Sequence, residues 1–193
     1  MEPASTVATV IELTAGQSLP LPRGRITMGV GWDKDPTAGA IASGRPDIDL
    51  DASVLEFAGG KLFDLAFFNN LSTRDGAVTH LGDNKTGRGE GDDEAVAVDL
   101  ERVHGPVDTL FLVVTSYHGH SLTWVDGAYV RIRGEDGQAF ARFTITAGPD
   151  EPGLVLARLT RGTADEGWTL HAVGAGVHAT TAVAAAALLP AYL

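Results

Sequence analysis

The chain contains no cysteine. Disulfides, zinc–thiolate sites, iron–sulfur clusters and a thiol nucleophile are excluded together. This composition suits a reducing cytoplasm, which is the expected location. Long apolar runs are lacking too. The longest, residues 182–190, is far below the roughly 20 residues that a membrane helix needs. The opening residues show no basic stretch followed by an apolar one, so no signal peptide is expected. Positive charge is scarce. Lys and Arg number 14 against 25 Asp and Glu, for a net charge of −11. Nucleic acid and anionic lipid are both bound through clustered cations, so neither is an expected partner.

What remains is a chain of 193 residues, 44% of them hydrophobic. That is enough for one well-buried domain and short for two. Most of it is written in the period of a strand. Residues 7–13, 25–31, 48–57, 62–69, 95–100, 109–116, 128–133, 139–144, 154–160 and 168–173 are short and rich in β-branched or aromatic side chains. Turn pairs such as Gly59-Gly60, Asp75-Gly76, Asp136-Gly137 and Glu166-Gly167 separate them. The pattern predicts an all-β fold, a sandwich or a barrel, with residues 109–116 in a central strand. Only the alanine-rich residues 179–189 read as a helix. Residues 34–46 read as a long loop.

The acidic residues are concentrated. Asp47, Asp49 and Asp51 alternate with Ile48 and Leu50, so a strand would place the aspartates together on one face. Residues 82–94 read GDNKTGRGEGDDE, with five acidic residues and four glycines among thirteen. Two charges 4 Å apart interact by about 4 kcal/mol at an effective dielectric near 20. Such a cluster either stays solvated or binds a hard cation. Oxygen donors with glycines that let the backbone turn favour calcium, which takes six to eight oxygens in flexible arrangements. Magnesium fits this pattern less well. The candidates are Asp83, Thr86, Glu90, Asp92, Asp93 and Glu94, with Asn69 and Asn70 adding neutral oxygens. An EF-hand does not fit. Counted from Asp47, Ala52 and Ala58 fall where that loop needs Gly and Glu; counted from Asp83, Lys85 falls at a ligand position.

Four segments carry a resemblance: GWD at 31–33, DIDLDAS at 47–53, FFNNLSTRDGAVTHLGDNKTGRGEGDDE at 67–94 and GEDGQAFARFTI at 134–145. Together they resemble the TerD family of tellurite-resistance and stress-response proteins, over about residues 11–176. The resemblance implies a bacterial, cytoplasmic, calcium-binding β-sandwich with two adjacent calcium ions and no firmly attached enzymatic activity. It implies Asp49, Asp51, Asn69, Asn70, Asp83, Glu90, Asp92, Asp93 and Glu94 as ligands, Thr86 and Gly87 through carbonyl oxygens, and Asp33 and Asp47 more weakly. Arg88 stands where the family often has an acidic residue. Tyr117 is followed by His118-Gly119-His120 instead of the family's Asp. The alanine-rich ending also departs from the family.

The other reactive residues point to no second chemistry. His118 and His120 read as exposed loop residues, and His80 as part of a polar turn. Ser116 lacks a nucleophile elbow. Residues 87–91 lack the Gly-Lys-Ser/Thr ending of a phosphate loop. The expectation is a calcium-dependent scaffold or sensor that binds an unidentified protein partner. The alternative is a metal-dependent hydrolase or a phosphate-ligand-binding protein using the same acidic site.

Overall fold

The computed structural model describes residues 9–33, 37–45, 47–82, 91–145, 148–163 and 166–193. Two six-stranded sheets face each other. The first runs β1 (Ile11–Glu12), β10 (Ala139–Thr144), β9 (Tyr129–Arg133), β3 (Arg25–Gly31), β7 (Glu94–Asp99) and β6 (Val78–His80). The second runs β2 (Ser18–Pro20), β12 (Trp168–Val177), β11 (Gly153–Arg161), β8 (Thr109–Ser116), β4 (Leu50–Ala58) and β5 (Lys61–Ala66). Every pairing is antiparallel except that of β1 with β10.

The inward faces follow the alternation of the sequence. Met28 and Val30 of β3, Val96 and Val98 of β7, and Val130 and Ile132 of β9 meet Leu50, Ala52 and Val54 of β4 and Leu110, Leu112 and Val114 of β8. β8 is buried along its whole length, as an apolar run on both faces requires. Its other face forms a second core. There Phe111 and Val113 pack with Leu55 and Phe57 of β4 under Ala185 and Leu189. These last two come from α2 (Ala182–Ala186) and the 3-10 turn Leu189–Tyr192 that ends the chain.

The expected strands at 109–116 and 139–144 match their elements end to end. Residues 168–173 extend to Val177, because Gly174, at φ +64°, carries the strand through an irregularity opposite Leu156. The tail helix is shorter than expected. Thr181 caps α2 by accepting the Ala184 N–H, and Pro190 then helps tighten the chain into its final 3-10 turn. The expected loop at 34–46 contains α1 (Ala38–Ala42), started by Thr37, whose hydroxyl accepts from Ala40 N–H and donates to the Trp124 carbonyl. Residues 34–36 and 46 lie outside the described residues.

Candidate metal centre

At one end of the sandwich β3 finishes, β4 and β7 begin, and β6 turns toward residues 82–94. Glu94 is the first residue of β7 and pairs with Val30. Strand alternation points its side chain inward with Val96 and Val98, and it is fully buried. One carboxylate oxygen, Oε2, accepts the backbone N–H of Ala52 at 2.7 Å. β5 pairs with β4 only from Val54 onward, so this N–H lies beyond the end of that ladder and Glu94 satisfies it. The same oxygen lies 3.6 Å from His80 Nε2. His80 Nδ1 accepts the Gly82 N–H at 3.2 Å, which assigns the ring proton to Nε2, facing Glu94. Glu94, the last residue of the acidic segment, thus meets the strand that carries Asp51.

Asp93 and Asp92 take different directions. The Asp93 N–H donates to the Val30 carbonyl at 2.7 Å, and its Oδ2 accepts from Trp32 N–H at 3.1 Å, so Asp93 stitches the end of β3 to the start of β7. It is buried. Asp92 lies over the outer face of the first sheet. Its Oδ1 accepts from Arg131 Nε at 2.5 Å, and its Oδ2 is 2.5 Å from Arg133 Nη2. The adjacent Gly91 carbonyl accepts from the Tyr129 hydroxyl at 2.9 Å. Burial pushes the Tyr129 phenol up, which keeps it a donor.

On β4, Leu50 and Ala52 enter the core while Asp49 and Asp51 take the other face, as the alternation predicts. Asp51 is buried and pairs in register with Thr115; Asp49 is half-buried, its carbonyl accepting the Tyr117 N–H at 3.0 Å. Asp47 is exposed. Asn70 closes a two-residue turn with Phe67 and donates its Nδ2 to the Leu65 carbonyl at 2.6 Å, which leaves its amide oxygen as an acceptor; Asn69 is exposed at the tip. Asp33 lies over the 126–127 turn, where Gly127 leaves room for its carboxylate. Asp83, Thr86, Gly87 and Glu90, with Arg88, lie outside the described residues. Among the described residues no group of three or more His, Cys, Asp or Glu is spaced to hold a metal ion. The donor chemistry still fits a hard cation: Asp51, Asp93 and Glu94 bring carboxylate oxygens to buried positions at this end.

Two histidines differ from expectation. His80 is buried, not part of a solvated turn, because it shares the inward face of β6 with Val78. His120 is fully buried as well. The turn at residues 116–119, closed by the Gly119 N–H on the Ser116 carbonyl with Gly119 at φ +72°, folds the chain back and directs the His120 N–H to Ser116 Oγ at 3.1 Å. Arg131 and Arg133 alternate with the buried Val130 and Ile132, a signal in the sequence of an outward basic face.

Comparison with known proteins agrees with this architecture. A family model described as TerD domain matches residues 9–187. "Tellurium resistance protein TerZ" of Serratia marcescens is 36% identical over 154 residues, covering 78% of this chain and 79% of that protein. "Tellurium resistance protein TerD" of an Alcaligenes species is 38% identical over 161 residues, covering 78% and 80%. "Stress response protein SCP2" of Bacillus subtilis is 33% identical over 189 residues, covering 88% and 94%. The crystal structure of a homologue of telluride resistance protein TerD from Streptomyces coelicolor superposes with a TM-score of 0.70 at 18% identity, over 88% of this chain and 96% of that one, and supports the fold. No helix among the described residues is long and apolar enough to cross a membrane. With the family match running from before β1 to beyond α2, the chain belongs to the TerD family.

Proposed function

We propose that this protein is a calcium-binding, non-enzymatic module of a cytoplasmic stress-response system, acting as a scaffold or sensor for a protein partner. Two adjacent ions would sit where the start of β4 meets the start of β7. Asp49, Asp51, Asp93 and Glu94 would hold them together with Asn69, Asn70, Asp83 and Glu90, and with carbonyl oxygens of Thr86 and Gly87. Asp47 is a peripheral candidate. Asp92 is left out of this set, because its two oxygens are already engaged by Arg131 and Arg133. Calcium would supply charge neutralisation and a tie between the two segments.

The observation that carries the reading is the Glu94 carboxylate on the Ala52 N–H, which brings the end of the acidic loop against the aspartate-bearing strand. The names of the relatives, tellurium resistance and stress response, support the physiological setting.

Calorimetric titration tests it. The expected result is heat on adding calcium and a rise in melting temperature, with a smaller rise for magnesium. An ion at a hundredfold its dissociation constant stabilises the folded state by about 2.7 kcal/mol. Asp83→Ala is expected to weaken binding, while Asp150→Ala, at an exposed position outside the proposed ligand set, leaves it intact. Equal affinities for the two variants would reject the ligand assignment, and no heat with millimolar calcium would reject the function.

A further inference from the structure

Glu56 sits in the middle of β4 and is completely buried. It shares the inward face with Leu50, Ala52 and Val54, all core residues, and so occupies a place that the pattern gives to an apolar side chain. Neither of its oxygens meets a donor in full hydrogen-bond geometry among the described residues. A carboxylate there would be a buried charge without compensation.

The neighbours sharpen the point. Asp64 of β5 is its cross-strand partner. Asp75, in the turn entering β6, is close enough to share a hydrogen bond with it. Arg74 is the facing cation, but it is mostly exposed and its guanidinium is drawn to Asp64 Oδ2 at 3.3 Å and over the Phe63 ring. On β8 the residue opposite is Leu110. Beside it Asp108 is turned to the Gly59 N–H and the Thr109 hydroxyl. Arg161 is turned to the carbonyls of Val103, His104 and Val107, and the His104 ring stacks on Phe63.

Asp75 is built to stay ionised. Its Oδ1 accepts from Thr73 Oγ1 at 2.7 Å and Ala77 N–H at 3.0 Å, and its Oδ2 from His104 N–H at 2.9 Å. Partial burial would raise this carboxyl, but those bonds outweigh it and hold Asp75 below its ordinary value. Burial, reinforced by the charges of Asp75 and Asp64, pushes Glu56 up to about 8. Two carboxyl groups, one ionised and one neutral, can then share a single proton.

We propose that Glu56 and Asp75 form a proton-operated latch: Glu56 carries one buried proton and donates it to Asp75, tying the middle of β4 to the turn that enters β6, and alkaline pH releases it. The folded state holds this proton more tightly than the unfolded chain. The latch therefore stabilises fully below about pH 4.5, loses its contribution as pH rises towards about 8, and is open above that. Once open, two facing carboxylates repel the turn from the strand.

Infrared spectroscopy and thermal melting of the full chain test the latch. At neutral pH the wild type is expected to show a protonated-carboxyl stretch that Glu56→Gln removes. The glutamine keeps the shape and the donor without titrating. The melting temperature of Glu56→Gln minus that of the wild type is expected to widen with pH up to about 8 and then level off. A wild type with no protonated carboxyl at neutral pH, or a difference that stays constant with pH, would overturn the proposal. If Glu56→Gln fails to fold, titration of the wild-type band decides: loss near pH 8 supports the latch, and loss near 4.5 refutes it.

Discussion

Gly29 faces Asp92 across the outer surface of the first sheet. A Cβ built at Gly29 would collide with the Asp92 carboxylate, which is anchored by Arg131 and Arg133. The carboxylate has little room to retreat, since its side chain is only 4% exposed. Gly29→Ala is expected to destabilise the fold by about 1–3 kcal/mol, the usual cost of overpacking, as read from urea unfolding. Combined with Asp92→Ala it should cost less than the sum of the two, because the collision is then gone. This contact also shows where sequence reading stopped. Asp92, Asp93 and Glu94 are three adjacent acidic residues with equal claims as ligands. Only the start of β7 distinguishes them, sending Glu94 inward and leaving Asp92 to two arginines far away in sequence. Glu56 escaped notice for the opposite reason. A single acidic residue within an apolar strand looks like an exception to alternation, and its meaning depends on Asp64 and Asp75.

At the scale of elements, the C-terminal turn is a strap over the second sheet. Leu189 is fully buried against the layer containing Phe57 and Phe111, whose rings meet edge to face at 5.4 Å. Arg158 Nη1 holds the Tyr192 carbonyl at 2.8 Å. Leu189→Ala is expected to cost about 2–5 kcal/mol by opening a cavity in this layer. Its signature would be faster proteolytic trimming of the C-terminus than in the wild type. Strands of five residues or more bounded by turn residues were legible: β3, β8 and β10 match their expected bounds, and β4 nearly does. β2 and β6 were not. Each has three residues at a sheet edge, too few to show a period, and Pro20 within β2 argues against a strand except at such an edge. The buried side of β6 matters most, because it carries His80 to Glu94.

For the whole molecule, the net charge of −11 acts on a small body. Its self-repulsion opposes the compact state and is screened as the Debye length shortens from roughly 30 Å at 0.01 M to 8 Å at 0.15 M ionic strength. The chelated protein is therefore expected to melt at a higher temperature in the more concentrated salt. On the proposed function the gain shrinks when calcium is present, since a bound ion would neutralise part of the same charge. A melting temperature independent of salt in the chelated protein would contradict this. Composition made the acidity plain; it did not reveal that Asp92 meets a basic face of Arg131 and Arg133.

The first strand has a further consequence for how the chain is made. β1 finds its partner only at Ala141 and Arg142 of β10, and β2 only at the nearby stretch from Thr169 to His171. During synthesis both edge positions stay vacant until most of the chain has emerged from the ribosome. The apolar faces of β3 and β4 must wait uncovered for the same reason, with β8 and β9 still unmade. The growing chain is thus at its most adhesive while β3 and β4 are made and β8 and β9 are not.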